Sequence, residues 1–253
     1  MPEIKALFFD MDGVIIDTEK DGHRVAFNEA FRYFGYEFQW DVDQYYKLLQ
    51  VAGGKERMRH YFQLQNLFQD LSSEEMAAHL LKVHKKKTEI FLFMLERGKL
   101  PLRAGIKRFM KEARDQGLLL CVCTTANEKV ANAVTNKMLN GIDFAHVLAG
   151  DIVKNKKPNP EIYNLALEKT GLDKDSCIVV EDSAIGVQAA RSAGLSVIAT
   201  TNVYTEKEDL SQADIIISSL GDPGSEQGIL KKGDHTLNFD GVLRIEKVKT
   251  YFT

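Results

Sequence analysis

The chain has 253 residues, enough to bury a large core without a disulfide framework. Hydrophobic residues make up 44% and charged residues 27%, as in an ordinary globular protein, and the net charge of -3 gives no global reason to bind nucleic acid or an anionic membrane. No uninterrupted apolar stretch reaches the roughly 18–20 residues needed to cross a bilayer, so neither a membrane nor a nucleic-acid partner is expected.

The N-terminus enters a strand almost at once and leaves no room for a signal peptide. Residues 6–9, Ala-Leu-Phe-Phe, are apolar on both faces and predict a buried strand. Residues 19–98 then read as purely helical. Phe27, Ala30, Phe31 and Phe34 form one stripe, and Val42, Tyr45, Tyr46 and Leu49 another. This stretch is expected to be a helical domain inserted after the first strand. Trp40 is assigned to its core, and Lys85, Lys86 and Lys87 to a solvated helix face.

Strand and helix alternate from there on. Ile106, Phe109, Met110 and Ala113 mark a helix that ends at Gly117. Residues 118–124 predict a strand. It places Cys121 and Cys123 on one face, and these with Cys177 are expected to be buried thiols, since no Cys/His pairing of zinc type occurs. A helix is expected from Asn159-Pro160, with the proline at its first helical position, to Gly171. Strands follow at 177–180, 197–200 and 215–217, with a helix capped by Ser183 and ended by Gly194 between the first two. Asp222-Pro223-Gly224-Ser225 is turn chemistry, and 237–245 has strand-like alternation. The pattern predicts an α/β protein, a doubly wound, Rossmann-like parallel sheet with helices on both faces. The expected division is a core of 1–18 and 99–222, an insert of 19–98, and a tail of 223–253 packing on the core.

Ligand sites of such sheets form at the carboxyl ends of the strands. Here those ends carry Asp10-Met11-Asp12-Gly13-Val14, then Thr124-Thr125-Ala126-Asn127, then Lys156-Lys157-Pro158-Asn159-Pro160 between strands, then Glu181-Asp182-Ser183. Four carboxylates, a hydroxyl pair and a lysine on one edge suit phosphoryl transfer, where catalysis is mainly positioning and charge neutralisation. Asp10 and Asp182 can hold Mg2+, which prefers oxygen ligands. Asp10 can act as a carboxylate nucleophile and Asp12, two residues on, as acid and base. Lys157 can neutralise nucleophile and phosphate, and Thr124 with nearby backbone N–H groups can bind phosphoryl oxygens.

Asp-x-Asp-Gly-Val after an apolar strand, a strand-end threonine, Lys-Pro-x-Pro and Glu-Asp-Ser, in that order, resemble the haloacid dehalogenase superfamily over residues 4 to about 220. The resemblance implies that Asp10 is nucleophile and metal ligand, and that Asp12 is acid/base and gives its backbone carbonyl to the metal. Thr124 and Lys157 would bind phosphate, Asp182 would be a direct metal ligand, and Glu181 would lie near the metal. The insert occupies the place of the superfamily's C1 cap, which closes over small substrates. Asp12 separates the chain from the metal-free dehalogenases, which lack a second aspartate.

Asp17-Thr18-Glu19-Lys20-Asp21-Gly22-His23-Arg24 and Gly53-Gly54-Lys55-Glu56-Arg57-Met58 are similar to the CbbY group of photosynthetic organisms, and so are Thr125-Ala126-Asn127-Glu128-Lys129 and Ile162-Tyr163-Asn164-Leu165-Ala166. That group includes phosphatases of xylulose 1,5-bisphosphate, an inhibitor of Rubisco, and the resemblance implies the same substrate. A bisphosphate needs cations a sugar length from the nucleophile, and Lys55 and Arg57 are candidates. Glu19 and His23, four apart on one helix face, either contact sugar hydroxyls or pair with each other. Thr125 and Asn127 complete the candidate substrate contacts, with Ala126 standing where relatives often carry serine. A β-phosphoglucomutase-type mutase is the alternative, because it shares the core, the cap class and the aspartate pair. A monomer is expected, in the plastid stroma of a photosynthetic eukaryote or the cytoplasm of a bacterium.

Overall fold

A computed structural model describes residues 3–51 and 53–252. They form two compact units, 3–17 with 101–252 and 18–100 without residue 52.

The first unit is built on β1 (Ala6–Phe9), every residue of which is buried. The second unit follows it in the chain. There a π-helical turn (Thr18–His23) runs into α1 (Arg24–Tyr33), then α2 (Val42–Leu48), α3 (Gly54–Leu64) and α4 (Ser73–Glu96). A capping box starts α4: the Ser72 hydroxyl accepts from Glu75 N–H while the Glu75 carboxylate accepts from Ser72 N–H. The core of this unit is aromatic. Trp40 is fully buried against Phe27, Phe31 and Tyr61, with ring centroids 4.9, 4.8 and 5.4 Å away. Asn28 fixes the tryptophan backbone on both sides, donating to its carbonyl at 2.9 Å and accepting its N–H at 2.8 Å.

Back in the first unit come α5 (Ile106–Asp115), β2 (Leu119–Cys123), α6 (Glu128–Ala133), β3 (His146–Leu148), α7 (Glu161–Thr170) and β4 (Cys177–Glu181). The unit closes with α8 (Ala184–Ser192), β5 (Ser196–Thr200), β6 (Ile215–Ile217), β7 (Leu230–Lys232) and α9 (Ile245–Phe252). The sheet order is β3-β2-β1-β4-β5-β6-β7, parallel except for the β6–β7 pair. Phe8 pairs with Cys121 on one side and Val179 on the other. Ala6, Phe8, Cys121, Cys123, Cys177 and Val179 share one face of the sheet with Tyr163 of α7 and Val187 of α8, so all three thiols are buried core groups. Phe9 points the other way and meets Phe109 of α5 edge-on. The order reverses at β1, between β2 and β4, which makes the carboxyl ends of β1 and β4 a topological switch point.

Four features depart from the sequence reading. Pro160 is the N-cap of α7, and its first helical residue is Glu161. Residues 237–245 are not a strand: Asn238 and Gly241 take left-handed φ of 45° and 91°, which break a strand, and Ile245 already begins α9. The strands β3 and β7 were not expected. Lys87 is no solvated residue, since it lies 7% exposed on the same stripe of α4 as Leu80, Val83, Phe91 and Leu95.

No helix among the described residues is long and apolar enough to cross a membrane.

Candidate active site

The end of β1 delivers Asp10, whose N–H bonds Val180 O at 2.9 Å, and the chain then turns sharply through Gly13. Gly13 has φ of +84°, and a Cβ there would lie 2.0 Å from Asp182 Oδ2, so only glycine lets the turn pass the second carboxylate. The end of β4 delivers Glu181 and Asp182. A Cβ on Gly186 of α8 would sit 2.1 Å from the Glu181 carboxyl, so this helix too is held against the acidic pair by an absent side chain. The Ser183 hydroxyl caps α8 by accepting from Gly186 N–H at 3.2 Å.

Lys157 joins the two strand ends. Its ammonium donates to Asp10 Oδ1 at 2.5 Å, Glu181 Oε1 at 2.6 Å and Cys123 O at 3.0 Å, with the side chain only 5% exposed. Glu181 is fully buried. Besides the lysine, its Oε1 accepts from Tyr163 OH at 2.7 Å, and its Oε2 accepts from Asp182 N–H at 3.0 Å. Asp182 accepts from Asn202 Nδ2 at 2.7 Å. Carboxylate oxygens of Asp10, Glu181 and Asp182 all lie within 4.8 Å of one another. Burial pushes Asp10 up to about 8; Lys157 opposes the shift, and Glu181 and Asp12 add to it. Burial likewise raises Asp182 well above the carboxylate range, Glu181 and Asp10 add to that, and Arg103 and Asn202 oppose it. Burial alone would lower Lys157, but Asp10 and Glu181 outweigh it and hold the ammonium protonated.

Three buried carboxylates this close, with one ammonium between them, cannot all stay ionised at low cost without a further cation. An oxygen-preferring divalent ion relieves that repulsion, so the donor set fits magnesium. A cavity of about 400 Å3 opens beside the cluster, lined by Asp10, Asp12, Asp182, Lys157, Lys156 and Thr125, with Ser183 and Ile185 at its edge.

The other expected contacts are placed less uniformly. Thr124 is fully buried at the end of β2; its hydroxyl accepts from Ala126 N–H at 3.0 Å and keeps its own hydrogen to donate. Asn127 does not reach this cavity. Its side-chain oxygen caps α6 by accepting from Val130 N–H at 3.0 Å, and it lines a separate cavity with Glu128 and Asn132.

In the second unit, Glu19, His23 and Arg57 come together around two residues that the sequence reading did not single out, Tyr45 and Lys87. Arg57, 8% exposed, donates to Tyr45 OH at 2.9 Å and Leu48 O at 3.1 Å, and Tyr45 OH donates to Glu19 Oε2 at 2.6 Å. Glu19 therefore reaches a tyrosine, not His23. The Lys87 ammonium bonds His23 Nδ1 at 2.9 Å and stands over the rings of Phe27 and Phe91. Lys55 is exposed on the first turn of α3. Burial, then Lys87, Arg57 and His84, bring His23 down to about 3 from its ordinary 6.5, so its ring is neutral and accepts from Lys87.

That shift has a sign that can be measured. Between pH 6.5 and about 3 the unfolded chain binds a proton at His23 that the folded one refuses, so stability falls as pH drops through that window. Relative to His23→Gln, the parent should lose about 1.4 kcal/mol per pH unit below 6.5. Trp40 is the chain's one tryptophan, so its fluorescence reads the unfolding of this unit. A pH-independent difference would sink the buried, neutral imidazole.

Sequence reasoning missed Tyr163, Asn202 and Arg103, and only Tyr163 had a signal, six residues after the lysine in an apolar helix stripe. Tyr163→Phe removes one donor from a buried carboxylate and should cost about 1.5–3 kcal/mol in urea unfolding. An unchanged midpoint would mean that the hydroxyl does not support Glu181.

Residues 4–194 match the model of the haloacid dehalogenase-like hydrolase family. The CBBY-like protein of Arabidopsis thaliana is 43% identical over 226 residues, covering 88% of this chain and 71% of that protein. The crystal structure of CbbY from Rhodobacter sphaeroides in complex with phosphate is 35% identical, with a TM-score of 0.65 over 87% of this chain and 96% of that one. A mutant of the same CbbY, in complex with xylulose-(1,5)bisphosphate, is 34% identical at the same TM-score and coverage. The sheet order, the lysine-clamped aspartate at its switch point and these matches agree: the chain belongs to the haloacid dehalogenase-like hydrolase family, among its CbbY-like members.

Proposed function

We propose that the protein is a magnesium-dependent phosphatase that removes one phosphate from a sugar bisphosphate, xylulose 1,5-bisphosphate, leaving xylulose 5-phosphate. The observation that carries the reading is the Asp10–Lys157 contact of 2.5 Å beside Asp182, at a cavity that Asp12 also lines. Asp10 attacks phosphorus through a carboxylate oxygen, and the bond from phosphorus to the sugar oxygen breaks. Asp12 gives the departing alkoxide its proton. Water, deprotonated by Asp12, then attacks the aspartyl phosphate and frees inorganic phosphate and Asp10. Lys157 and the Thr124 hydroxyl hold the phosphoryl oxygens as charge moves onto them.

Mg2+, when bound, would supply charge neutralisation at the phosphoryl group. Asp10, Asp182 and the Asp12 backbone carbonyl would hold it. Glu181, whose oxygens already carry protein donors, would anchor Lys157 and lie near the ion. We assign substrate contacts to Thr125, Glu19, His23, Lys55 and Arg57. Buried cations Arg57 and Lys87 beside a neutral His23 support an anionic group as part of the ligand. Asn127 is withdrawn from that set by its capping role.

The test is phosphate release from xylulose 1,5-bisphosphate, ribulose 1,5-bisphosphate and β-glucose 1-phosphate, with and without Mg2+. Strong, magnesium-dependent preference for the xylulose bisphosphate is expected. Conversion of glucose 1-phosphate to its isomer without net phosphate release would move the chain to the mutase reaction. Absence of turnover on all three would refute the reading.

A further inference from the structure

Arg103 lies two residues past the point where the chain re-enters the first unit, and both Nη atoms of its guanidinium donate to backbone. One bonds Gly13 O and also reaches Thr200 O at 3.4 Å and Thr200 Oγ1 at 3.1 Å. The other bonds Thr201 O at 2.6 Å and Ser218 O at 2.8 Å. A single planar cation thus gathers the loops that leave β1, β5 and β6. Its own backbone N–H is fixed to Ile15 O at 2.9 Å.

Two of those loops, the ones that leave β1 and β5, bear on one group. Gly13 is the residue whose missing side chain makes room for Asp182 Oδ2. Thr201 precedes Asn202, whose amide donates to Asp182 Oδ2 at 2.7 Å and whose Oδ1 is held by the N–H groups of Tyr204 and Thr205. Thr200 Oγ1 also reaches Glu181 O, the carbonyl just before Asp182, at 3.5 Å. The carboxylate of Asp182 therefore lies against Gly13 and Asn202, with Thr200 on the carbonyl just before it, and one side chain bonds the carbonyls of Gly13, Thr200 and Thr201. A lysine would keep the charge, but its single nitrogen cannot bridge three loops in a planar fork.

We propose that Arg103 is a positioning residue for divalent-ion binding, setting the place of the Asp182 carboxylate through the carbonyls of Gly13, Thr200 and Thr201. Its hydrogen bonds go to Gly13, Thr200, Thr201 and Ser218, so it would act through the backbone. The assignment rests on the metal reading above, and its test is made on binding, without turnover.

Mn2+ is titrated into the intact chain and free ion is read by its electron paramagnetic resonance signal, in the parent and in Arg103→Lys, with folding checked by circular dichroism. Arg103→Lys is expected to weaken Mn2+ binding by about 10–100-fold while folded, the usual loss when an outer-shell support of a metal site is removed. A purely structural arginine would lower the melting temperature and leave the affinity of the folded protein untouched, and that result overturns the assignment. Should Arg103→Lys fail to fold, Thr200→Val removes, at nearly constant shape, the hydroxyl that accepts from Arg103 and reaches Glu181 O; about threefold weaker binding is expected, and unchanged affinity overturns the assignment. A parent chain that binds no Mn2+ overturns the metal reading and this assignment together. A parent that binds and a folded Arg103→Lys that binds equally well overturn the assignment alone.

Discussion

Asp10→Asn is expected to lose about 10⁴-fold or more in turnover, because on the proposed mechanism it replaces the group that forms the covalent intermediate. The asparagine keeps the shape of the side chain and an oxygen for the Lys157 ammonium, now 2.5 Å from Asp10 Oδ1. It also removes a buried ionisable group from a cluster of three carboxyls within 4.8 Å. Stability should therefore hold or rise while activity disappears, and that divergence is what a nucleophile predicts and a structural aspartate does not. Turnover of xylulose 1,5-bisphosphate and of an aryl phosphate, with a melting curve on the same preparation, settles it. Retention of a tenth of the parent rate would place the nucleophile elsewhere.

Lys157→Met should have the largest effect on the fold. Removing one partner of a buried pair leaves the other charge uncompensated, at about 3–5 kcal/mol. Here two partners are left, Asp10 and the fully buried Glu181. The loss must depend on pH in a defined direction. Burial holds Asp10 at about 8 in the folded chain, above its ordinary 3.8, and without the opposing lysine it moves further up. A carboxyl whose folded pKa lies above its unfolded value costs stability as pH rises between the two, and the cost levels off above the folded value. Parent and variant therefore lose stability alike up to about pH 8, and above it only the variant goes on losing, so the destabilisation by Lys157→Met, measured in chelator by urea unfolding, should be smallest below about pH 8 and grow above it. A penalty flat through that point would mean that Lys157 acts mainly by packing over the Tyr163 ring, whose centroid is 5.1 Å from its ammonium.

The five strands β1, β2, β4, β5 and β6 were legible because central parallel strands are apolar on both faces and stand out as short runs. The two edge strands were not. β3 is three residues, His-Val-Leu, and β7 is Leu-Lys-Lys, where charge on an exposed edge hides the pairing. The aspartates, Lys157 and Asp182 could be read because their spacing ties chemistry to strand ends. Arg103 and Asn202 could not, because their partners are backbone carbonyls and a carboxylate supplied by distant segments, and no local pattern encodes that.

Lys87 shows a different failure. A run of three lysines reads as a wet surface, yet Lys87 falls four residues after Val83 and four before Phe91, on the buried stripe of α4. Periodicity held the answer and composition masked it. Asn127 illustrates the reverse: a polar residue after a strand end looked like a ligand contact, and the helix that follows used it as a cap.

The excursion of residues 18–100 leaves and rejoins the first unit at one stitched point, where Ile16 pairs antiparallel with Leu102 and Arg103 N–H bonds Ile15 O. The cost of closing a loop rises only with the logarithm of its length, so this stem tolerates a longer, shorter or rebuilt excursion at little expense to the sheet. On the proposed reading, selection can therefore rewrite most of what such a chain accepts while leaving the machinery that cleaves it undisturbed. Most substrate contacts would then be inherited on one stretch of sequence and the cleaving groups on another, joined by a seam a few residues wide.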